Sequence, residues 1–145
     1  IIYLSTSYVY PGTKGNYKEN SNLKPINNYA WSKLGGECAV MMYSNSLILR
    51  VSMTERPFVH KFAYNNLKTN FIFHDQVAEF LPKLFKYKGV INVGGKSRTV
   101  YNFSKKYNPK IKSKKLTKKS GLLKMNTSMN IDKLKKIIND KILVL

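Results

Sequence analysis

The chain has 145 residues, 43% of them hydrophobic, with 26 Lys+Arg against 7 Asp+Glu and a formal charge of +19. That length suits one domain, and an apolar share of this size, with 10 Tyr and 7 Phe, excludes wholesale disorder. No apolar run approaches the ~18 residues of a membrane helix, and the single cysteine, Cys38, excludes a disulfide framework and a cysteine-based zinc site and fits a reducing, cytoplasmic compartment.

The sequence opens without Met, inside the apolar run Ile1-Ile2-Tyr3-Leu4, and carries no signal-peptide pattern. Such a start reads as a strand already under way, and so as a fragment of a longer protein. The hydroxyl cluster Ser5-Thr6-Ser7 follows, then a short run Tyr8-Val9-Tyr10 broken by Pro11-Gly12 and a polar loop to about residue 28. From Tyr29 to about Tyr43 there is no proline, and Leu34, Cys38, Met41 and Met42 recur at helical spacing. This predicts a helix with Cys38 on its apolar stripe, a buried thiol and not a nucleophile. Leu47–Val51 reads as a buried strand, and Arg56-Pro57-Phe58 opens a loop.

Asp75 is placed to cap a helix whose face is Val77, Phe80, Leu81, Leu84 and Phe85, with Pro82 expected to kink it or limit its first turns. Gly89–Val93 is a strand closed by Gly94-Gly95, and Val100, Phe103 and Tyr107 mark a short helix ended by Asn108-Pro109. Residues 105–125 are lysine-rich, with eight Lys and no acid between 105 and 119, which predicts a solvated or a poorly ordered stretch. Asn130 caps a last helix carrying Leu134, Ile137 and Ile138. Strands alternating with helices give an α/β fold with a largely parallel sheet.

Of the 26 cations only Arg50, Arg56 and Arg98 are arginine, and the chain has 15 Asn. Proteins that read bases or clamp phosphates favour the arginine fork. The charge therefore reads as compositional drift toward Lys and Asn, with salt-sensitive, non-specific adhesion to polyanions as its consequence. His60 and His74 have no partners at metal-ligand spacing, so no metal site is expected.

Two places carry chemistry. In Tyr29-Ala30-Trp31-Ser32-Lys33 a tyrosine and a lysine stand at i and i+4 on one helix face. A nearby ammonium favours a phenolate, so such a tyrosine can give or take a proton at working pH. A solvated helix pair is the plain alternative for this spacing in a chain so rich in both residues. Thr6 lies just past a strand, where side chains line the ligand crevice of an open α/β sheet. A hydroxyl there can bond the same oxygen that Tyr29 protonates, or serve only in ordinary strand-end hydrogen bonding.

Taken together, Tyr3-Leu4-Ser5-Thr6-Ser7-Tyr8-Val9-Tyr10-Pro11-Gly12, Pro25-Ile26-Asn27-Asn28-Tyr29 and Ser32-Lys33-Leu34-Gly35-Gly36-Glu37 resemble the extended short-chain dehydrogenase/reductases. More narrowly they are similar to the dTDP-4-dehydrorhamnose reductase-like, sugar-nucleotide-binding branch. Leu47-Ile48-Leu49-Arg50-Val51-Ser52, Gly89-Val90-Ile91-Asn92-Val93-Gly94-Gly95 and Asn126-Thr127-Ser128-Met129-Asn130 continue the likeness over nearly the whole chain.

The resemblance implies that residues 1–145 are the C-terminal part of a Rossmann-like, NAD(P)-binding parallel sheet, with helices and small interleaved substrate-binding segments. It implies that Tyr29 protonates a sugar C4 ketone as hydride arrives from NADPH or NADH, that Thr6 hydrogen-bonds that oxygen, and that Lys33 assists Tyr29 and bonds the nicotinamide ribose. Val51 and Ser52 would run beside the nicotinamide, while Ser7, Tyr8 and Met53 would face the sugar. Ser7 stands where close relatives have Asp, and Met53 where rhamnose reductases often have Trp, so the substrate is the open question. The family's Gly-rich turn is not in this sequence, so a complete cofactor site is not expected from these residues alone. Pairing of two copies through the Tyr29–Lys33 helix is a further implication. The competing reading is a non-catalytic module that binds a sugar nucleotide or a partner, with a basic C-terminal part for polyanions.

Overall fold

The structure, a computed structural model, describes residues 1–117 and 125–138. Its centre is a parallel sheet of three strands, β1 (Ile2–Thr6), β2 (Leu47–Val51) and β7 (Gly89–Val93), in the order β1-β2-β7. In register, Ser5 lies beside Arg50 and Thr6 beside Val51, while Arg50 lies beside Asn92 and Val51 beside Val93. All five residues of β2 are buried, the four apolar ones as a strand covered on both faces requires and Arg50 through its ion pair with Glu37.

Alternation along the strands divides the two faces. Leu47, Leu49, Val51, Ile91 and Val93 form the main core with Val77, Phe80 and Leu84 of α2 (His74–Leu84) and Leu134 and Ile138 of α4 (Asp132–Ile138). On the other face lies α1 (Asn28–Met41), bonded to the sheet through Arg50 and Glu37. Short paired strands extend the frame: β3 (Met53–Thr54) with β6 (Ile72–Phe73), β4 (Phe62–Tyr64) with β9 (Lys112–Lys114), and β5 (Lys68–Thr69) with β8 (Arg98–Thr99). Helix α3 (Val100–Tyr107) packs Val100 beside Phe58, Ala63 and Ile111.

Several expectations change. Cys38 is exposed, not buried. Of the stripe Leu34, Cys38, Met41 and Met42, Leu34 packs partly buried against Val9, Tyr10 and Tyr17, but the fully buried residues of α1 are Ala30 and Glu37, and Met42 is 86% exposed. The reason is that Arg50 on the sheet draws Glu37 inward, and an ion pair has overridden the apolar pattern. Tyr8-Val9-Tyr10 begins in a 3-10 turn, Ser7–Val9. Helix α2 starts before Asp75, with Gln76 Oε1 accepting from Phe73 N–H at 3.1 Å. Pro82 lies in the last turn of α2, where it leaves the helix intact to Leu84. Within the lysine-rich stretch Lys112–Lys114 is exposed, as a solvated stretch requires, and pairs in parallel with Phe62–Tyr64; residues 118–124 lie outside the described residues. No helix among the described residues is long and apolar enough to cross a membrane.

Candidate active site

The carboxyl ends of β1 and β2 open into a cavity of about 260 Å³ lined by Ser5, Thr6, Ser7, Tyr8, Tyr29, Val51, Ser52, Met53, Phe71 and His74. Ligand crevices of open α/β sheets lie at such strand ends. Thr6 ends β1 and is buried. Its Oγ1 accepts from Tyr8 N–H at 3.3 Å, which starts the 3-10 turn and leaves the hydroxyl proton to be donated. Tyr29 stands in the first turn of α1, which is fixed by Asn27 Oδ1 accepting from Ala30 N–H at 2.8 Å. The Tyr29 side chain is well exposed beside the buried Thr6.

Ser52 is locked in place: its Oγ lies 3.0 Å from Thr69 Oγ1, its N–H donates to the Val93 carbonyl at 2.9 Å, and its carbonyl accepts from Ile72 N–H at 3.1 Å. Among the described residues, Ser5 Oγ is the buried side-chain polar atom with no hydrogen-bond partner. Burial raises the Tyr8 phenol above its ordinary pKa of 10.0, and the neighbouring charge of Tyr29 adds to the shift, so the two phenols share one environment.

The structure thus brings Thr6, Ser7, Tyr8, Tyr29, Val51, Ser52 and Met53 around one cavity and leaves Lys33 outside its lining. The Lys33 ammonium sits over the Tyr3 ring, 4.3 Å from its centroid, and Tyr3 Oη donates to the Lys33 carbonyl at 3.3 Å. A cation–π contact beneath α1 holds the lysine there. A Cβ on Gly36 would collide with the Tyr3 ring, so this close approach of helix to strand requires glycine.

Two further cavities adjoin. One of about 410 Å³ has Phe58, His60, Lys61, Phe62 and Lys114 in its wall, and one of about 350 Å³ has Ile26, Asn27, Tyr64 and Thr127. Tyr8 and Phe71 line both, as they line the Tyr29 cavity.

Below α1 lies a buried polar network. Arg50 donates from Nε and Nη2 to the Glu37 carboxylate, at 3.0 Å to Oε1 and 2.7 Å to Oε2. Its Nη1 donates to Tyr10 Oη at 2.8 Å and to the Glu19 carbonyl at 3.0 Å. Tyr10 Oη donates on to Asn92 Oδ1 at 2.8 Å, and Asn92 Nδ2 donates to the Tyr17 carbonyl at 2.9 Å. Burial pulls the Arg50 pKa down, but the hydrogen bonds and charges of Glu37 and Tyr10 outweigh it and hold the value above the ordinary one. Burial likewise raises Tyr10, against the lowering effect of Arg50. Tyr29, Lys33 and Glu37 fall at i, i+4 and i+8 on one stripe of α1, so the network anchors the helix that carries the tyrosine.

Sequence reasoning did not find Ser5, Phe71 or His74 as lining residues. Phe71 and His74 arrive through the pairing of Met53 with Ile72, and two-residue strands leave no periodic signal. The Gly94-Gly95 step has a packing cause: a Cβ at either position would press on the backbone of Asn70 or Phe71, and Gly95 N–H donates to the Asn70 carbonyl at 2.8 Å.

A parallel three-stranded sheet with α1 on one face and α2 and α4 on the other is a Rossmann-like α/β architecture. Residues 1–77 match the RmlD substrate binding domain, and the chain belongs to that family. The structure is similar to that of a hypothetical dTDP-4-dehydrorhamnose reductase from Sulfolobus tokodaii (26% identity, TM-score 0.84, all of this chain and 60% of that one). It shares its fold with dTDP-4-dehydrorhamnose reductase from Bacillus anthracis in complex with NADP (20%, 0.78, 93% and 58%). The same holds for UDP-glucuronic acid 4-epimerase from Bacillus cereus in complex with NAD (22%, 0.70, 94% and 54%). The chain thus spans 60% or less of the length of each of these structures. No curated protein matches the sequence.

Proposed function

We propose that this chain supplies the proton-donor and sugar-binding part of an NAD(P)-dependent reductase acting on a nucleotide-linked 4-keto-6-deoxy sugar. The observation that carries the reading is the meeting of Thr6 and Tyr29 in one cavity at the strand ends. A cavity walled by hydroxyls, with one buried hydroxyl unpartnered, fits a ligand rich in hydroxyl groups, as both a sugar nucleotide and a dinucleotide are. When bound, NADPH or NADH supplies the hydride to the ketone carbon.

The chain's own groups manage the oxygen. Thr6, its lone pair occupied by Tyr8 N–H, donates its proton as a hydrogen bond to the ketone oxygen, and Tyr29 transfers a proton to that oxygen as it becomes a hydroxyl. Lys33, one turn on and resting on the Tyr3 ring, would turn from it to place its charge by Tyr29 and to hold the nicotinamide ribose. Val51 and Ser52 would hold the nicotinamide side of the cofactor. Ser7, Tyr8 and Met53 contact the sugar, and the cavity with Phe58, Phe62, Lys61 and Lys114 in its wall offers aromatic and cationic groups to the nucleoside diphosphate. Pairing of two copies through α1, where Trp31 is exposed, belongs to the same proposal.

The test uses a chimera in which this chain replaces the matching part of the Sulfolobus tokodaii protein. NADPH oxidation with a dTDP-4-keto-6-deoxy sugar should fall at least a hundredfold on Tyr29→Phe, with sugar-nucleotide binding retained. Normal turnover by that variant would refute the assignment and leave a binding module.

A further inference from the structure

We propose that the Ser5 hydroxyl is a binding group for a sugar hydroxyl of the ligand held beside Tyr29; this rests on the reading of that cavity given above. Ser5 is 4% exposed and lines the cavity, yet its Oγ has no hydrogen-bond partner among the described residues. Folded proteins rarely leave a buried hydroxyl unmatched, and the exceptions cluster where a ligand or water completes the set. Of the neighbouring buried hydroxyls, Thr6 is matched by Tyr8 N–H and Ser52 by Thr69. Among the described residues, Ser5 Oγ is the wholly buried side-chain oxygen without such a partner.

Its place on the strand explains what it can reach. Parallel partners point to the same face of a sheet, and Ser5 lies beside Arg50, whose guanidinium goes to Glu37 on α1. Tyr3, two residues earlier on that face, meets Lys33. Ser5 accordingly sits under the helix that carries Tyr29 and Lys33, while Thr6 belongs to the opposite face. A ligand at the strand end would meet one hydroxyl from each. Serine has one side-chain torsion with three staggered positions, so its hydroxyl turns into the cavity without moving the backbone. It donates one bond and accepts two, which complements a sugar hydroxyl. That group could be a ribose hydroxyl of the dinucleotide or a hexose hydroxyl of the sugar nucleotide, and the two sources separate by experiment.

The chimera with the Sulfolobus tokodaii protein and its Ser5→Ala variant are melted without ligand and titrated by proton–nitrogen NMR with NADPH and, separately, with dTDP-glucose. Because the hydroxyl has no partner in the protein, the variant should melt at the same or a higher temperature. Its affinity for one probe should weaken about fivefold, the equivalent of about 1 kcal/mol at 1.4 kcal/mol per tenfold, and the probe that weakens names the source. Equal affinities for both probes overturn the proposal, as does a fall of several degrees in the ligand-free melting temperature, which would mean a partner within the protein. If neither probe shifts the resonances of the unsubstituted chimera, the reading of the cavity as a ligand site falls, and the Ser5 proposal with it. Binding of a probe by the parent with equal affinity in the variant sinks the Ser5 proposal alone, which keeps the two failures apart.

Discussion

Glu37→Ala should be the most damaging single truncation on α1, although the residue stands on a helix whose apolar stripe is largely exposed. In the folded chain the Glu37 side chain is 0% and that of Arg50 4% exposed, with Nη2 and Oε2 2.7 Å apart. Removing the carboxylate leaves a guanidinium that cannot lose its proton in a site where its remaining partners are Tyr10 Oη and the Glu19 carbonyl. Breaking a buried pair from one side costs about 3–5 kcal/mol, a large part of the roughly 5–15 kcal/mol that holds a domain together. At about 2–4 °C per kcal/mol, the melting temperature should fall by roughly 10 °C. Urea unfolding followed by far-ultraviolet circular dichroism measures the loss. The double variant Glu37→Met/Arg50→Met removes both charges and should cost less than the single change, since only the Tyr10 and Glu19 partners are left unmatched. A loss below about 1 kcal/mol for Glu37→Ala, or a double variant worse than the single, would refute the view that an unpaired charge is the dominant cost.

Further outcomes follow from the same geometry. Gly95→Ala places a Cβ 2.6 Å from the Phe71 carbonyl oxygen; it should cost about 2 kcal/mol or more, and, by shifting a wall of all three cavities, it should weaken sugar-nucleotide binding in an NMR titration. The Tyr8 phenol is held above its ordinary pKa of 10.0, so its stabilising contribution is fully present below pH 10 and is lost as pH rises through the folded value. Tyr8→Phe should therefore flatten the alkaline fall in urea midpoint between pH 9 and 12, and an unchanged slope would count against the shift. With +19 of formal charge, retention on heparin should drop steeply between 50 and 300 mM salt; retention that stays flat would show that the lysine surface does not adhere electrostatically.

The strands and helices of the central unit can be read from the sequence because each carries a local pattern. Leu47–Val51 and Gly89–Val93 are mostly apolar runs, each broken by one polar residue, Arg50 and Asn92, and both form strands with those bounds. Val100, Phe103 and Tyr107 fall within one helix, Val100–Tyr107. The orientation of α1 could not be read in this way, because one of its two buried residues is a glutamate whose partner lies thirteen residues on. The short pairs β3–β6, β4–β9 and β5–β8 are likewise invisible to periodicity, since two or three residues define no period.

The candidate site divides along the same line. Thr6, Tyr29 and Lys33 stand out in the sequence by residue type and spacing, and the hydroxyl cluster after the first strand marks the strand end at which a crevice must open. Tertiary structure decided which of these side chains meet: Thr6 and Tyr29 share a cavity, while Lys33 rests on Tyr3. It also supplied Phe71 and His74 through a strand pair formed only in the fold. It left Ser5 buried without a partner. A sequence fixes the chemistry each side chain can perform and the local period of the backbone. Proximity between residues far apart in the chain depends on how helices and strands pack, and that is settled only when burial and buried charge are satisfied together.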